Sequence, residues 1–262
     1  MGLGGPVLAG RKACTDKLQQ VELSKKNHKA RLSAVLNLAC LALLCAMAVT
    51  GTCEPPDNAT AIRKIDAAVK WRIDHIAEYT DTETYKVFRG KDETNPVAQM
   101  KVKTTYRPEM GKSYQILSES GSGIILKFLL HPLLENEKEI NDPAKVSSAW
   151  IVSANYDMQL KPGGPVEQDG RECWVLSIVP HHKAPNLIEG TLWVDAKDFT
   201  VVRLEGVTSK SPSFWASPAH VMRQYAEMDG FSQATHAWAE SKSLFGTAVI
   251  TIDYEGYQIQ TR

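Results

Sequence analysis

The sequence predicts an α+β fold, mainly antiparallel β, built as a meander of about ten strands around a few helices. Three observations carry this. The 172–206 stretch, ECWVLSIVPHHKAPNLIEGTLWVDAKDFTVVRLEG, holds three short apolar runs separated by turn residues. Apolar and polar residues alternate in most segments after residue 80, with Gly, Pro and Asp at the breaks. Only 60–79 and 124–150 read as helical. A long antiparallel meander either closes into a barrel or curls around something, and the two helical regions are the natural filling.

The central trio comprises 172–179, 188–195 and 200–206. Trp174, Leu176 and Ile178 share one face and Ser177 the other. Ile188, Leu192 and Val194 oppose Glu189, Thr191 and Asp195. Pro180 and Pro185 bracket a polar loop, and Ala196-Lys197-Asp198 suits a tight connection.

The body of the chain opens on a Pro-containing linker, after which Asn58 or Thr60 can cap a helix. Ile62, Ile65, Val69, Ile73 and Ile76 recur at helical spacing, giving an apolar face with an end near Tyr79. Strands are expected at 82–89, 97–107 and 112–119. In the second, Ala98, Met100, Val102 and Thr104 share a face. Gly121-Ser122-Gly123 is a joint, and the apolar run after it predicts a helix interrupted or kinked at Pro132. Asp142-Pro143 starts a second short helix toward Trp150. Strands return at 154–160, 220–228, 232–244 and 247–259. Asp169-Gly170 and Asp229-Gly230 are hairpin signals. Phe214 and Trp215 fall in a polar loop and read as exposed.

The first fifty residues read as a targeting segment. Lys25, Lys26, Lys29 and Arg31 precede the apolar run 32–49, and Ala46-Met47-Ala48 supplies a small-residue cleavage site. The expected division is 1–53, a signal peptide or membrane anchor with a short linker, and 54–262, the folded domain. Export places the domain in the periplasm, with a membrane tether through 32–49 or a lipidated Cys53 as the alternatives to cleavage. Cys53 and Cys173 remain after cleavage, and pairing, lipidation or two unpaired thiols all stay open.

The chain has thirty Lys/Arg and thirty Asp/Glu, but residues 1–48 hold seven of the former and two of the latter. The remaining body is mildly acidic. That gives no basic patch for nucleic acid and disfavours bare anionic membrane.

Catalytic patterns are weak. His181-His182-Lys183 lacks a third metal ligand at a usable spacing and reads as a solvent loop. Ser120-Gly121-Ser122-Gly123 is neither a nucleophile elbow nor a phosphate loop. Asp195 and Asp198 could pair as acid and base, but strand-end and turn roles account for both. The expectation is a non-enzyme without cofactor or metal.

A strand ending in Leu192-Trp193-Val194-Asp195, a short turn, then Val201-Val202-Arg203-Leu204-Glu205-Gly206 resembles the outer-membrane lipoprotein-sorting proteins, the LolA/LolB/RseB-like superfamily. The resemblance implies a half-open curled barrel with helices covering the concave face, a helical lid and an apolar cavity. Leu176, Ile178, Leu192, Val194, Val202, Leu204, Ile250, Ile252 and Tyr254 would converge on the concave side, with Ile125, Phe128 and Leu129 from a lid at 121–150. The alternation alone suits a closed core equally. The resemblance implies that they line an acyl-chain cavity. The expected function is a periplasmic, monomeric carrier that takes an acylated lipoprotein or lipid to the outer membrane. The alternative is an RseB-type lipid- or stress-sensing module with an inner- or outer-membrane protein partner. A hydrolase ranks last.

Overall fold

In the computed structural model of the chain, the described residues are 55–90, 92–211, 217–243 and 246–262. They belong to one unit, Pro55–Arg262. The expected signal or anchor at 32–49, Cys53 with its pairing or lipidation, and Phe214 and Trp215 lie outside them. Among the described residues no helix is long and apolar enough to cross a membrane.

Helix α1 (Asn58–His75) is followed without a loop by β1 (Ile76–Arg89). Its cap is Asp57, whose Oδ1 accepts from the Thr60 N–H at 2.6 Å. Neither expected cap, Asn58 or Thr60, fills that role: Thr60 is the donor to Asp57, and Asn58 does something else. Its side chain accepts from Leu160 N–H (2.7 Å) and donates to Met158 O (3.3 Å), pinning the start of α1 to the sheet. The helix stops four residues short of Tyr79 because Ile76 already belongs to the strand, where Tyr79 is buried in phase with Asp81, Glu83, Tyr85 and Val87.

Strands β2 (Ala98–Arg107) and β3 (Gly111–Gly121) follow. Ala98, Met100, Val102 and Thr104 are all buried, as their alternation predicts. Next come α2 (Gly123–Ile125), a π-helical stretch (Leu126–Leu130) and α3 (His131–Ile140) in unbroken succession. The interruption expected at Pro132 is the π turn before it. Pro132 cannot donate to residue 128, and the wider turn lets His131 N–H reach Leu126 O instead. The second helix expected from Asp142 shrinks to a 3-10 turn (Val146–Ala149).

The remaining strands are β4 (Tyr156–Leu160), β5 (Val166–Gln168), β6 (Arg171–Pro180), β7 (Ile188–Asp195), β8 (Val201–Thr208), β9 (His220–Met228), β10 (Phe231–Ser243) and β11 (Gly246–Thr261). Asp169 and Asp229 have φ of 50° and 52°, followed by Gly170 and Gly230 at 76° and 81°. These are the left-handed pairs that both Asp-Gly hairpins require.

Among the described residues eleven strands form one antiparallel sheet in the order β3-β2-β1-β11-β10-β9-β8-β7-β6-β4, with β5 also on β6. The end strands do not pair, so the sheet stays open. Two apolar clusters cover its inner face. Ala61 and Ile65 of α1 pack with Trp174, Leu176, Ile178, Leu192, Val194 and Leu204. Leu130 and Leu134 pack with Tyr85, Val87, Met100 and Val102.

Where β7 meets β8, Gly190 faces Gly206. A Cβ on Gly190 would lie 2.1 Å from Glu205 O and 2.6 Å from Gly206 Cα. Backbone so close cannot yield as a side-chain tip would. Gly190→Ala is therefore expected to destabilise the fold by roughly 1–3 kcal/mol, read as a lower midpoint in denaturant unfolding.

Candidate functional site

The two helical covers bury different halves of the sheet, and a cavity of about 280 Å³ is lined from both. Ala68, Val69, Trp71, Arg72 and Ile73 come from α1. Glu137 and Ile140 come from α3, and Val146, Ala149, Trp150 and Ile151 from the chain after it. The sheet supplies Tyr79, Tyr106, Lys112, Arg223, Tyr225, Gln233, Tyr254 and Tyr257. Thus the helical wall is largely aliphatic and the sheet side is aromatic and charged. On the outer flank of α1 a second groove of about 480 Å³ shares Val69, Ile73 and Trp150 with the first.

The charged side is an ordered row. Tyr85 donates its hydroxyl proton to Glu83. Lys112 Nζ is 3.4 Å from Glu83 and 3.7 Å from Glu137, and Arg223 is 3.9 Å from the other Glu137 oxygen. Burial works against the Lys112 charge, but Glu83 and then Tyr79, Tyr114 and Glu137 more than offset it and hold the ammonium protonated. Burial likewise raises the Tyr254 and Tyr257 phenols well above their ordinary range.

Asp81 sits beside this row, 3% exposed, with the Tyr257 phenol as its polar neighbour and, among the described residues, no cation within ion-pair distance of its carboxylate. Burial first, and the Glu83 charge second, push its carboxyl up to about 7, against opposition from Lys112 and Tyr257.

The twelve residues expected to line an acyl cavity do not converge on one place. Leu176, Ile178, Leu192, Val194 and Leu204 pack in the first cluster against α1, and Val202 is fully buried. Ile125, Leu129, Ile250 and Ile252 are half-buried around the second cluster. Tyr254 is the one of the twelve on the cavity wall. Phe128 is 70% exposed, with the Lys127 ammonium 5.4 Å from its ring centroid. The π turn rotates the helix so that Leu130 and Leu134 point inward in place of Phe128.

Sequence reasoning passed over Arg72, Asp81, Glu83, Lys112, Glu137, Arg223 and Gln233. A signal existed in β1. Residues 79, 81, 83, 85 and 87 form one strand face, and two acids stand on it among aromatic and apolar residues. Acids on a buried face need a reason.

The other candidates have local roles. His181 is exposed and bonds to Ala154 O at 3.1 Å and Asp157 at 3.2 Å. Asp195 accepts from Arg171, Lys197 N–H and Asp198 N–H, and Asp198 accepts from Thr200. Burial would raise the Asp195 carboxyl, but those donors outweigh it and hold it low. Both acids shape the β7–β8 turn. Among the described residues no group of three His, Cys, Asp or Glu is placed to hold a metal.

The chain matches no family model and no curated protein in sequence. Its structure is similar to a LolA superfamily protein from Nitrosomonas europaea, at 10% identity and a TM-score of 0.43 over 79% of this chain and 94% of that one. It is similar to a domain from Vibrio parahaemolyticus named as an outer membrane lipoprotein-sorting protein, at 12% identity and 0.44 over 78% and 94%. A DUF1329 family protein from Desulfovibrio piger gives 13% identity and 0.41 over 78% and 94%.

Two outcomes follow from the geometry. Between pH 3.8, the ordinary carboxyl value, and about 7, the folded chain holds a proton on Asp81 that the unfolded chain releases. Stability should therefore rise as pH falls through that window. Asp81→Asn should remove this component and stabilise the protein most at pH 8, seen in thermal melts across pH. Phe128→Ala, on an exposed ring, should change stability by no more than about 0.5 kcal/mol, measured by denaturant unfolding.

Proposed function

We propose that this protein binds the acyl chain of a lipid or lipoprotein in the cavity between α1 and the 137–151 segment, and carries it between membranes of the cell envelope. The observation that supports this reading is the cavity wall. Val69, Ile73, Ile140, Val146, Ala149 and Ile151 form an aliphatic surface against a sheet that never closes. A chain of methylenes needs little else, since each contributes about 0.8 kcal/mol on leaving water. Small-ligand pockets commonly run from about 300 to 1,000 Å³. At about 280 Å³ the cavity suits one chain rather than several.

In this mechanism the segment after α3 swings away, the chain enters along α1, and closure restores the Asn155 bonds to Ser147 O and Trp150 O. Release to an acceptor membrane reverses the steps. Export of the domain through the 1–53 segment belongs to the same proposal.

A sensing or interaction module is the second reading. It is favoured by exposed apolar residues at the edge strand β3, Ile116 and Leu117, and on the helical segment after it, Ile124 and Phe128. Transfer separates the two. A carrier delivers lipid to an acceptor vesicle, whereas a sensor changes its affinity for a protein without delivering anything.

The test is displacement of a fluorescent fatty acid from the purified protein by palmitoylated peptide. Ala149→Trp should fill the cavity, leave the circular dichroism spectrum unchanged and weaken probe binding at least tenfold. An Ala149→Trp protein that binds as well as the wild type would place the ligand elsewhere.

A further inference from the structure

Arg72 stands near the end of α1 and lines the cavity. Its Nε donates to Ser232 O at 3.2 Å and its Nη2 to Gln233 Oε1 at 2.9 Å. Both acceptors are neutral. Among the described residues no carboxylate pairs with this guanidinium, whereas the other cavity cations, Lys112 and Arg223, meet Glu83 and Glu137.

The bond to Gln233 has a further consequence. Arginine only donates, so the amide atom it meets must be the oxygen. The orientation of the amide is therefore fixed, and its NH₂ is the other end. Gln233 is 2% exposed, lines the cavity, and its Nε2 has no partner. A buried donor without an acceptor costs about 1–3 kcal/mol.

One ordinary role explains part of this. A cation in the last turn of a helix favours the helix dipole, and Arg72 also ties α1 to β10. That role accounts for neither the unsatisfied NH₂ nor a charge without a counter-charge beside Val69 and Ile73. A ligand bearing an anionic oxygen would answer both at once. Its charge would meet Arg72, a second lone pair would accept from Gln233, and its tail would lie on the aliphatic wall.

We propose that the cavity selects single-chain amphiphiles with an anionic oxygen head, a carboxylate or a phosphate, bound by Arg72 and the Gln233 NH₂. This rests on the lipid-binding reading above and narrows it. Charge-assisted hydrogen bonds of this kind are about twice as strong as neutral ones, which sets the expected preference for an anion over an alcohol at about tenfold or more.

Calorimetric titration tests it with dodecanoate, dodecyl phosphate and dodecyltrimethylammonium, each below its micelle concentration, and with dodecanol below its solubility limit. The wild type should bind the two anions at least tenfold tighter than dodecanol and the cation most weakly. The ratio of the two anions decides between a fatty-acid and a phosphate source. Arg72→Gln should bring the anions down to the dodecanol level while dodecanol itself changes less than twofold. If Arg72→Gln does not fold, Gln233→Glu serves, since it keeps an acceptor for Arg72 and supplies the missing negative charge. It should abolish the preference with dodecanol binding intact. Equal wild-type affinity for dodecanoate and dodecanol overturns head selection and leaves lipid binding standing. An anion preference that survives both substitutions overturns the assignment to Arg72 and Gln233. Binding of none of the four removes the lipid-binding reading together with this one.

Discussion

An open sheet must cover its concave face, and here no single element is long enough to do so. Helix α1 covers one half through Ala61 and Ile65, both fully buried. The 123–140 helical segment covers the other through Leu130 and Leu134. Each cover buries its apolar side chains fully at one place only. The C-terminal half of α1 illustrates this. Val69 and Ile73 continue the apolar spacing of Ala61 and Ile65 but are half-buried and face the two grooves. A helix with an apolar face gains most by burying all of it. This one leaves Val69 and Ile73 over space while Arg72 in the same stretch reaches β10, so the unfilled volume follows from how the two covers are placed.

The sheet side of that space is polar for a related reason. Glu83 and Asp81 stand on a strand face that is otherwise aromatic and apolar, and the fold retains them by bringing Lys112 to Glu83. A buried carboxylate with a partner is tolerable, and one without is costly. Glu83 has Tyr85 and Lys112, while Asp81 has neither, and its carboxyl rises accordingly. The same row reaches across to α3 through Glu137 and on to Arg223. The interior is thus amphipathic, with aliphatic groups from the helices and phenols and charges from the strands.

Much of the architecture was legible because period-two alternation reports burial directly. β2 and the β6–β8 trio needed nothing more, and both Asp-Gly hairpins were marked by their turn residues. Alternation does not, however, distinguish a core from a cavity wall. Leu176, Leu192 and Val194 carried the strongest pattern because they are the tightest core. The cavity forms where the pattern weakens, at half-buried helical residues and at polar residues in buried registers. Phe128 shows a different limit. Its place on an apolar helix suggested an inward ring, but the π turn ahead of Pro132 shifts the face by part of a turn, and a single sequence gives no sign of a π turn beyond the proline. Gln233 was invisible for a third reason, since its importance lies in which end of its amide Arg72 occupies.

These anchors also decide which part of the second cover can move in the proposed opening. Leu130 and Leu134 hold the 126–140 stretch by buried apolar area, and separating them from Tyr85 and Met100 would open the core. Residues 141–151 contain no buried side chain. Ile151 touches the first apolar cluster, and Asn155 donates to Ser147 O at 2.8 Å; just beyond the segment Asp66 accepts from Ser153 N–H and hydroxyl at 2.8 and 2.6 Å. Hydrogen bonds of this kind contribute about 0.5–1.5 kcal/mol each, and water replaces them readily. The Glu137 ion pairs, at 3.7 and 3.9 Å, sit at the end of α3, just ahead of this weaker region. The hinge of a moving strap therefore belongs near Asn141 rather than at the Gly121-Ser122-Gly123 joint, and the element that opens is the 3-10 turn with Val146, Ala149 and Trp150, not the apolar helix before it.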